Sequence, residues 1–307
     1  MTVKEEKTNK ILLGQGNNSL VMLFAINSLV FVILKFILVI YQMSDLNTDA
    51  FYTNIFNWFI LPADISKLGG RPWAIITSMF THDSIWAVLP AMFWLWVFGY
   101  VLQDLTGNKR LIPIYIYGGL AGAVFYVLTY NLVPALQPGI PAAALFGSNA
   151  ALMAVAVATT TVKPDYRFFP MINGGIPLWI VTLAFVIVDI ASIRLGDPAK
   201  YMAHVAGAAT GFMFIFQLRK GRDWSVGMNQ FFDWFNNLFS PAVKNKSKNT
   251  RDEFFYKVHG AHPYKRIPNV TQKRIDEILD KISMEGYHLL TDEEKDILRR
   301  ASSEDEL

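Results

Sequence analysis

The chain has 307 residues, 52% of them hydrophobic and 14% aromatic, with only 17% charged and no cysteine. The 28 Lys and Arg against 25 Asp and Glu leave a formal charge of +3, which is no evidence for a nucleic-acid partner. This composition excludes an ordinary soluble domain, a disulfide framework and any cysteine-based nucleophile or metal site.

The apolar residues come in long blocks. A helix needs about 20 mostly apolar residues to cross a bilayer. Six blocks qualify, near residues 19–42, 84–103, 111–133, 144–162, 175–194 and 201–218. Hydrocarbon offers the backbone no water, so each block is expected to be a helix. The expected fold class is all-α, a polytopic membrane protein built on a six-helix bundle. The expected division is a cytoplasmic segment at 1–18, a membrane domain at 19–220, a juxtamembrane amphipathic segment and basic linker at 221–268, and a small helical module at 269–307.

Lys4, Lys7 and Lys10 precede the first block like the start of a signal peptide. The block is too long for one and lacks a small-residue cleavage site, so it reads as a retained helix. Lys35 within it is expected to snorkel to the outer interface. The loop that follows carries Asp45, Asp49, Asp64 and Asp83 against Lys67 and Arg71, and its aromatic run (Phe51, Tyr52, Phe56, Trp58, Phe59) suits a segment lying in the bilayer interface. Lys109 and Arg110, Lys163 and Arg167, and Arg219, Lys220 and Arg222 fall in alternate connections. With the Lys-bearing start they define the cytoplasmic side, placing both termini there.

Small residues mark where helices approach closely. Gly118, Gly119 and Gly122 lie in the third block, Ala150, Ala154 and Ala158 in the fourth, and Gly207 and Gly211 in the sixth. Four-residue spacing of small side chains lets helices touch backbone to backbone in lipid. The fourth block is therefore expected against the sixth, bringing Asn149 near His204. A histidine inside a membrane block is costly and marks a functional-site hypothesis. Asp189, near the outer end of the fifth block, reads most simply as a capping or interfacial group.

Beyond residue 222, Phe231, Phe232, Trp234, Phe235, Leu238 and Phe239 follow helical spacing and suggest an amphipathic helix on the cytoplasmic surface. Lys244, Lys246, Lys248 and Arg251 form a basic linker suited to anionic headgroups. The tail reads as a helical hairpin. Thr271 caps a helix with the stripe Ile275, Ile278, Leu279 and Ile282, Gly286 stops it, and Thr291 with Glu294 opens a second helix carrying Ile297 and Leu298. His259, His262 and His288 have no partner ligands at useful spacing, so no metal is expected.

Taken in order, several short motifs resemble the rhomboid family of intramembrane serine proteases over roughly residues 50 to 222. They are Pro72-Trp73 with Thr77, Phe80 and His82; Trp96-Val97-Phe98-Gly99 with Gly107 and Arg110; the Gly118–Gly122 cluster; Gly147; and His204 with Gly207 and Gly211. The tail resembles a small cytoplasmic helical module found on some bacterial members, which implies a bacterial inner membrane. The family implies a serine nucleophile two residues after the glycine that opens the fourth helix, and a histidine base on the sixth. Carried over, the base falls on His204 and the nucleophile position on Asn149, which has no hydroxyl to attack with. The family's oxyanion donors fall on Ala87 and Ala91, which have no hydrogen-bonding side chain, whereas such donors hold the developing charge. Asn149 retains the capacity to hydrogen-bond His204.

The resemblance thus implies a pseudoprotease that needs no cofactor and binds or regulates the transmembrane segments of other membrane proteins, through the groove between the second and fifth helices. His204 would then be structural, like Gly147, Gly207, Gly211 and His82. A second reading is an active serine-type endopeptidase using Ser148 with His204. Neighbouring residues on a helix point about 100° apart, so Ser148 would face away from His204, and its plainer role is a helix N-cap. A third reading is a membrane anchor for the tail module.

Overall fold

The computed structural model describes residues 18–44, 47–168, 174–193, 197–239 and 272–304. Expectations for Lys4, Lys7, Lys10, Asp45, the basic linker 244–251, His259, His262 and Thr271 lie outside these residues. The chain forms two compact units, divided between Pro241 and Ala242.

In the first unit α1 (Ser19–Met43) starts on Asn18, whose side chain accepts from the Leu20 and Val21 amides at 3.0 and 3.4 Å. Two short helices, α2 (Thr48–Asn54) and α3 (Ile65–Gly70), follow, then the single turn α4 (Ala74–Thr77). The long helices α5 (Ile85–Thr106) and α6 (Leu111–Leu132) precede α7 (Asn149–Val162), α8 (Leu178–Ser192) and α9 (Pro198–Arg219), and α10 (Ser225–Phe239) ends the unit. Two-residue strands pair β1 (Leu61–Pro62) with β2 (Ala144–Leu145), and β3 (Arg167–Phe168) with β4 (Ile176–Pro177).

Among the described residues four helices are long and apolar enough to cross a membrane: Ser19–Met43, Ile85–Thr106, Asn108–Leu132 and Pro198–Arg219. The fourth and fifth apolar blocks yield shorter helices, of 14 and 15 residues in α7 and α8. At 1.5 Å per residue these are about 21 and 22 Å long, short of the roughly 30 Å of hydrocarbon. The fourth block is shortened because Ala144 and Leu145 are extended and paired with Pro62 and Leu61. A helix this short is tolerable because its neighbours sheathe it: Ala151, Ala154, Val155, Ala156 and Ala158 are fully buried.

Glycines let α7 sit so deep. A Cβ on Gly118 or Gly122 of α6 would strike the Cβ of Ala154 or Ala150, and one on Gly207 or Gly211 of α9 would strike the carbonyl oxygens of Ala150 and Ala154. The two alanines are therefore gripped on both sides by paired glycines, the backbone-close packing that small residues permit in lipid.

The loop between α1 and α5 is folded rather than merely laid in the interface. Phe51 and Phe56 are buried against Leu34 of α1, while Tyr52 and Trp58 remain exposed. Trp58 stacks on Trp73 with centroids 5.9 Å apart, and Thr77 Oγ1 donates to the Phe59 carbonyl at 3.0 Å. Lys35 lies 5.9 Å from the Phe31 ring centroid on the otherwise lipid-like face of α1.

The second unit holds α11 (Gln272–Glu285) and α12 (Asp292–Glu304). Gly286, at φ 89°, turns the chain into a short 3₁₀ segment, Tyr287–Leu289. Ile278, Leu290 and Ile297 form its core with Ile282 and Leu298, but Leu279, expected in the stripe, is half exposed. Thr291 and Glu294 cap one another, with Thr291 N to Glu294 Oε2 at 2.9 Å and Glu294 N to Thr291 Oγ1 at 3.3 Å.

Candidate intramembrane cavity

A cavity of about 750 Å³ in the first unit lies between α5 and α8 and is floored by the start of α7. Ala87, Pro90, Ala91 and Trp94 line it from α5, Phe185, Val188, Asp189 and Ser192 from α8, His204 from α9, and Gly147, Asn149 and Ala150 from the head of α7. His204 and Asn149 thus share one cavity, and Ala87 and Ala91 contribute only methyl groups to its wall.

Local backbone geometry places the α7 residues. Gly147 adopts φ 98°, a conformation in which a side chain would be strained, and its amide donates to the Ser78 carbonyl at 2.9 Å. This turn starts the helix so that Ser148 and Asn149 diverge. Ser148 stands at the N-cap position, but its hydroxyl makes no capping bond. The expected capping role is therefore corrected: Ser148 is fully buried and is not a lining residue of the cavity, and its Oγ lies 3.3 Å from Nε2 of His82, which does line it. Adjacent Tyr115 donates to the Met79 carbonyl at 3.1 Å, so the Ser148–His82 contact belongs to a buried polar seam joining the segment before α5 to α6 and α7.

His204 has a partner that sequence reasoning missed. Its Nδ1 is 2.5 Å from Oδ2 of Asp189, and the two side chains are 8% and 3% exposed. A carboxylate only accepts, so the imidazole donates from Nδ1 and Nε2 is left as the ring nitrogen without that bond. Asp189 is therefore not the capping or interfacial group expected; it ties α8 to α9. The hydrogen bond suggested between Asn149 and His204 is not among those of the structure. The signal for the pair was present: Asp189 is the one acidic residue of its apolar block and His204 the one histidine of its own, and intramembrane ionisable groups tend to pair. Among the described residues no cluster of three or more His, Asp or Glu could hold a metal ion.

A helical membrane-spanning chain with a cavity lined from α5, α6, α7, α8 and α9 defines the class. The sequence pattern of the rhomboid domain matches residues 69–221, and the chain belongs to the rhomboid family. A family of unknown function, DUF6576, matches residues 264–304. The chain is 26% identical over 175 residues to RHOMBOID-like protein 12, mitochondrial, of Arabidopsis thaliana, covering 54% of this chain and 52% of that protein. It is 28% identical over 153 residues to Rhomboid protein 1, mitochondrial, of Saccharomyces cerevisiae, covering 48% and 42%. Presenilin-associated rhomboid-like protein A, mitochondrial, of Danio rerio is 26% identical over 153 residues, covering 46% and 36%. The match spans about half the length of these relatives or less. All three are named as mitochondrial, so the bacterial inner membrane expected from the tail draws no support from them.

Proposed function

We propose that this chain is a non-proteolytic rhomboid-like membrane protein that binds transmembrane segments of other proteins at the cavity between α5 and α8. One observation carries the reading. Of the residue at the family's nucleophile position and the serine beside it, the one lining the cavity with His204 is Asn149, while the Ser148 hydroxyl is buried against His82 at 3.3 Å. A nucleophile must lie within hydrogen-bond reach of its base before its reactivity matters. The methyl groups of Ala87 and Ala91 provide no donors for an oxyanion. His204, held by Asp189, serves packing and hydrogen bonding between α8 and α9.

In this reading the six apolar segments all cross the bilayer, with the short α7 and α8 completing their crossings through flanking extended residues. Basic residues in alternate connections support placing both ends on the positive side. Binding at the cavity is tested with benzoylphenylalanine at Val188 and Ala87, which line it, and at Leu29 on the lipid face of α1. With a reconstituted transmembrane peptide, crosslinks are expected from the two cavity positions and not from Leu29. Equal labelling at all three, or none, rejects the cavity as the binding site. The anchor reading differs in one outcome: removing residues 223–307 abolishes function there and spares it here.

A further inference from the structure

Helix α10 is amphipathic and faces the reverse of the way expected on a soluble protein. Around its axis Phe231, Trp234 and Leu238 share one stripe, and Asn229 and Asp233 lie on the opposite side. The polar side is turned toward the protein. Asn229 Nδ2 donates to the Lys109 carbonyl at 3.1 Å, and Asn229, Gln230 and Asp233 line a cleft of about 400 Å³ with Thr106 to Arg110 at the α5–α6 turn. The apolar side is left open, with Phe231 56%, Trp234 57% and Leu238 58% exposed.

This orientation is pinned. Asp223 accepts from Ser225 N and Oγ at 2.9 and 2.6 Å, and its other oxygen meets Arg110 Nε at 3.0 Å. The Trp224 ring packs on Phe214 of α9 at 6.2 Å, and its carbonyl accepts from Tyr117 of α6 at 3.3 Å. The helix cannot roll its apolar stripe inward without breaking these contacts. The occupant follows from continuity. Only residues 220–224 separate α9 from α10, and Phe212 and Phe216 of α9 are exposed as lipid-facing residues are. Lys220 lies 4.1 Å over the Phe216 ring centroid, the posture of a cation at the bilayer edge. A Trp-bearing apolar stripe at that level matches the interfacial region of a membrane.

We infer that α10 is an interfacial helix whose Phe231–Trp234–Leu238 stripe is seated in the bilayer surface, fixing the ends of α5, α6 and α9 at headgroup depth. The absence of cysteine lets the full chain be labelled at single sites. Phe231→Cys, Trp234→Cys and Leu238→Cys, with Asn229→Cys and Asp233→Cys on the other side, are spin-labelled and reconstituted in liposomes of phosphatidylcholine and phosphatidylglycerol. Accessibility to oxygen relative to a water-soluble nickel chelate is expected to be several-fold higher at 231, 234 and 238 than at 229 and 233. High nickel accessibility along the stripe places it in water and overturns the inference. Low accessibility to both reagents places it against protein and also overturns it, with spin–spin broadening identifying a second copy as that protein.

Discussion

Replacing Asp189 by alanine should loosen α8 from α9. The carboxylate is 3% exposed and takes a 2.5 Å hydrogen bond from His204, so its loss removes a charge-assisted bond and strands a buried imidazole N–H. Hydrogen bonds to charged groups contribute about 1.5–3 kcal/mol, and a stranded buried donor costs about 1–3 kcal/mol. Because these overlap, a destabilisation of about 2–4 kcal/mol is expected for Asp189→Ala. Asp189→Asn keeps an acceptor oxygen without the charge and should lose about half as much, since ionic hydrogen bonds are roughly twice as strong as neutral ones. The assay is reversible unfolding in mixed micelles, followed by circular dichroism, in a cycle with His204→Ala. A coupling energy of about 1.5–3 kcal/mol is expected. Interhelical hydrogen bonds in membranes average about 0.6 kcal/mol, and a coupling no larger than that would refute the argument that this pair ties the two helices.

In the same assay Gly211→Ala should cost about 1–3 kcal/mol by overpacking, because its Cβ would meet the Ala154 carbonyl oxygen, whereas Gly227→Ala, with open space around it, should cost nothing. Equal effects would contradict the tight α7–α9 contact. Asn149→Ser alone should yield no measurable peptide cleavage, since each missing oxyanion donor typically lowers turnover about 10²–10³-fold; activity near that of a proteolytic rhomboid would show that Ala87 and Ala91 are no handicap. In the second unit the Thr291 backbone N–H and then Lys281 hold the Glu294 carboxyl down at about 2 instead of 4.5. Its folded value is lowered, so its stabilising contribution is full above pH 4.5 and is lost as pH falls through about 2. Carbon-13 NMR should show that titration, shifted upward in Lys281→Met, and an ordinary carboxylate midpoint in the parent chain would contradict the capping geometry.

Much of the helical architecture is readable from patterns local to one segment. The apolar blocks locate α1, α5, α6 and α9, and the four-residue repeats at Ala150 and Ala154 and at Gly207 and Gly211 anticipate the α7–α9 contact. What is not readable depends on how helices are rotated about their axes. Apolarity does not reveal that 144–145 pair with a strand in the loop between α1 and α5, nor that the neighbours of α7 enclose it and so make its shortness tolerable. Ser148 looks like a helix cap because its residue type suits one, yet the turn at Gly147 sends its hydroxyl to His82, 66 residues away. The Asp189–His204 bond joins two helices whose relative rotation no spacing rule supplies, although two lone ionisable residues in apolar blocks invite the pairing.

Proteolytic activity is the most direct test of the central claim. The purified full chain is incubated in liposomes with a fluorophosphonate probe and a transmembrane substrate, beside Ser148→Ala and His204→Ala, with a proteolytic rhomboid cutting the same substrate as control. The account predicts no labelling and no cleavage in any of the three proteins while the control is active. Labelling and cleavage by the parent chain that both substitutions abolish would contradict it, and would establish Ser148 as a nucleophile that leaves His82 to reach His204.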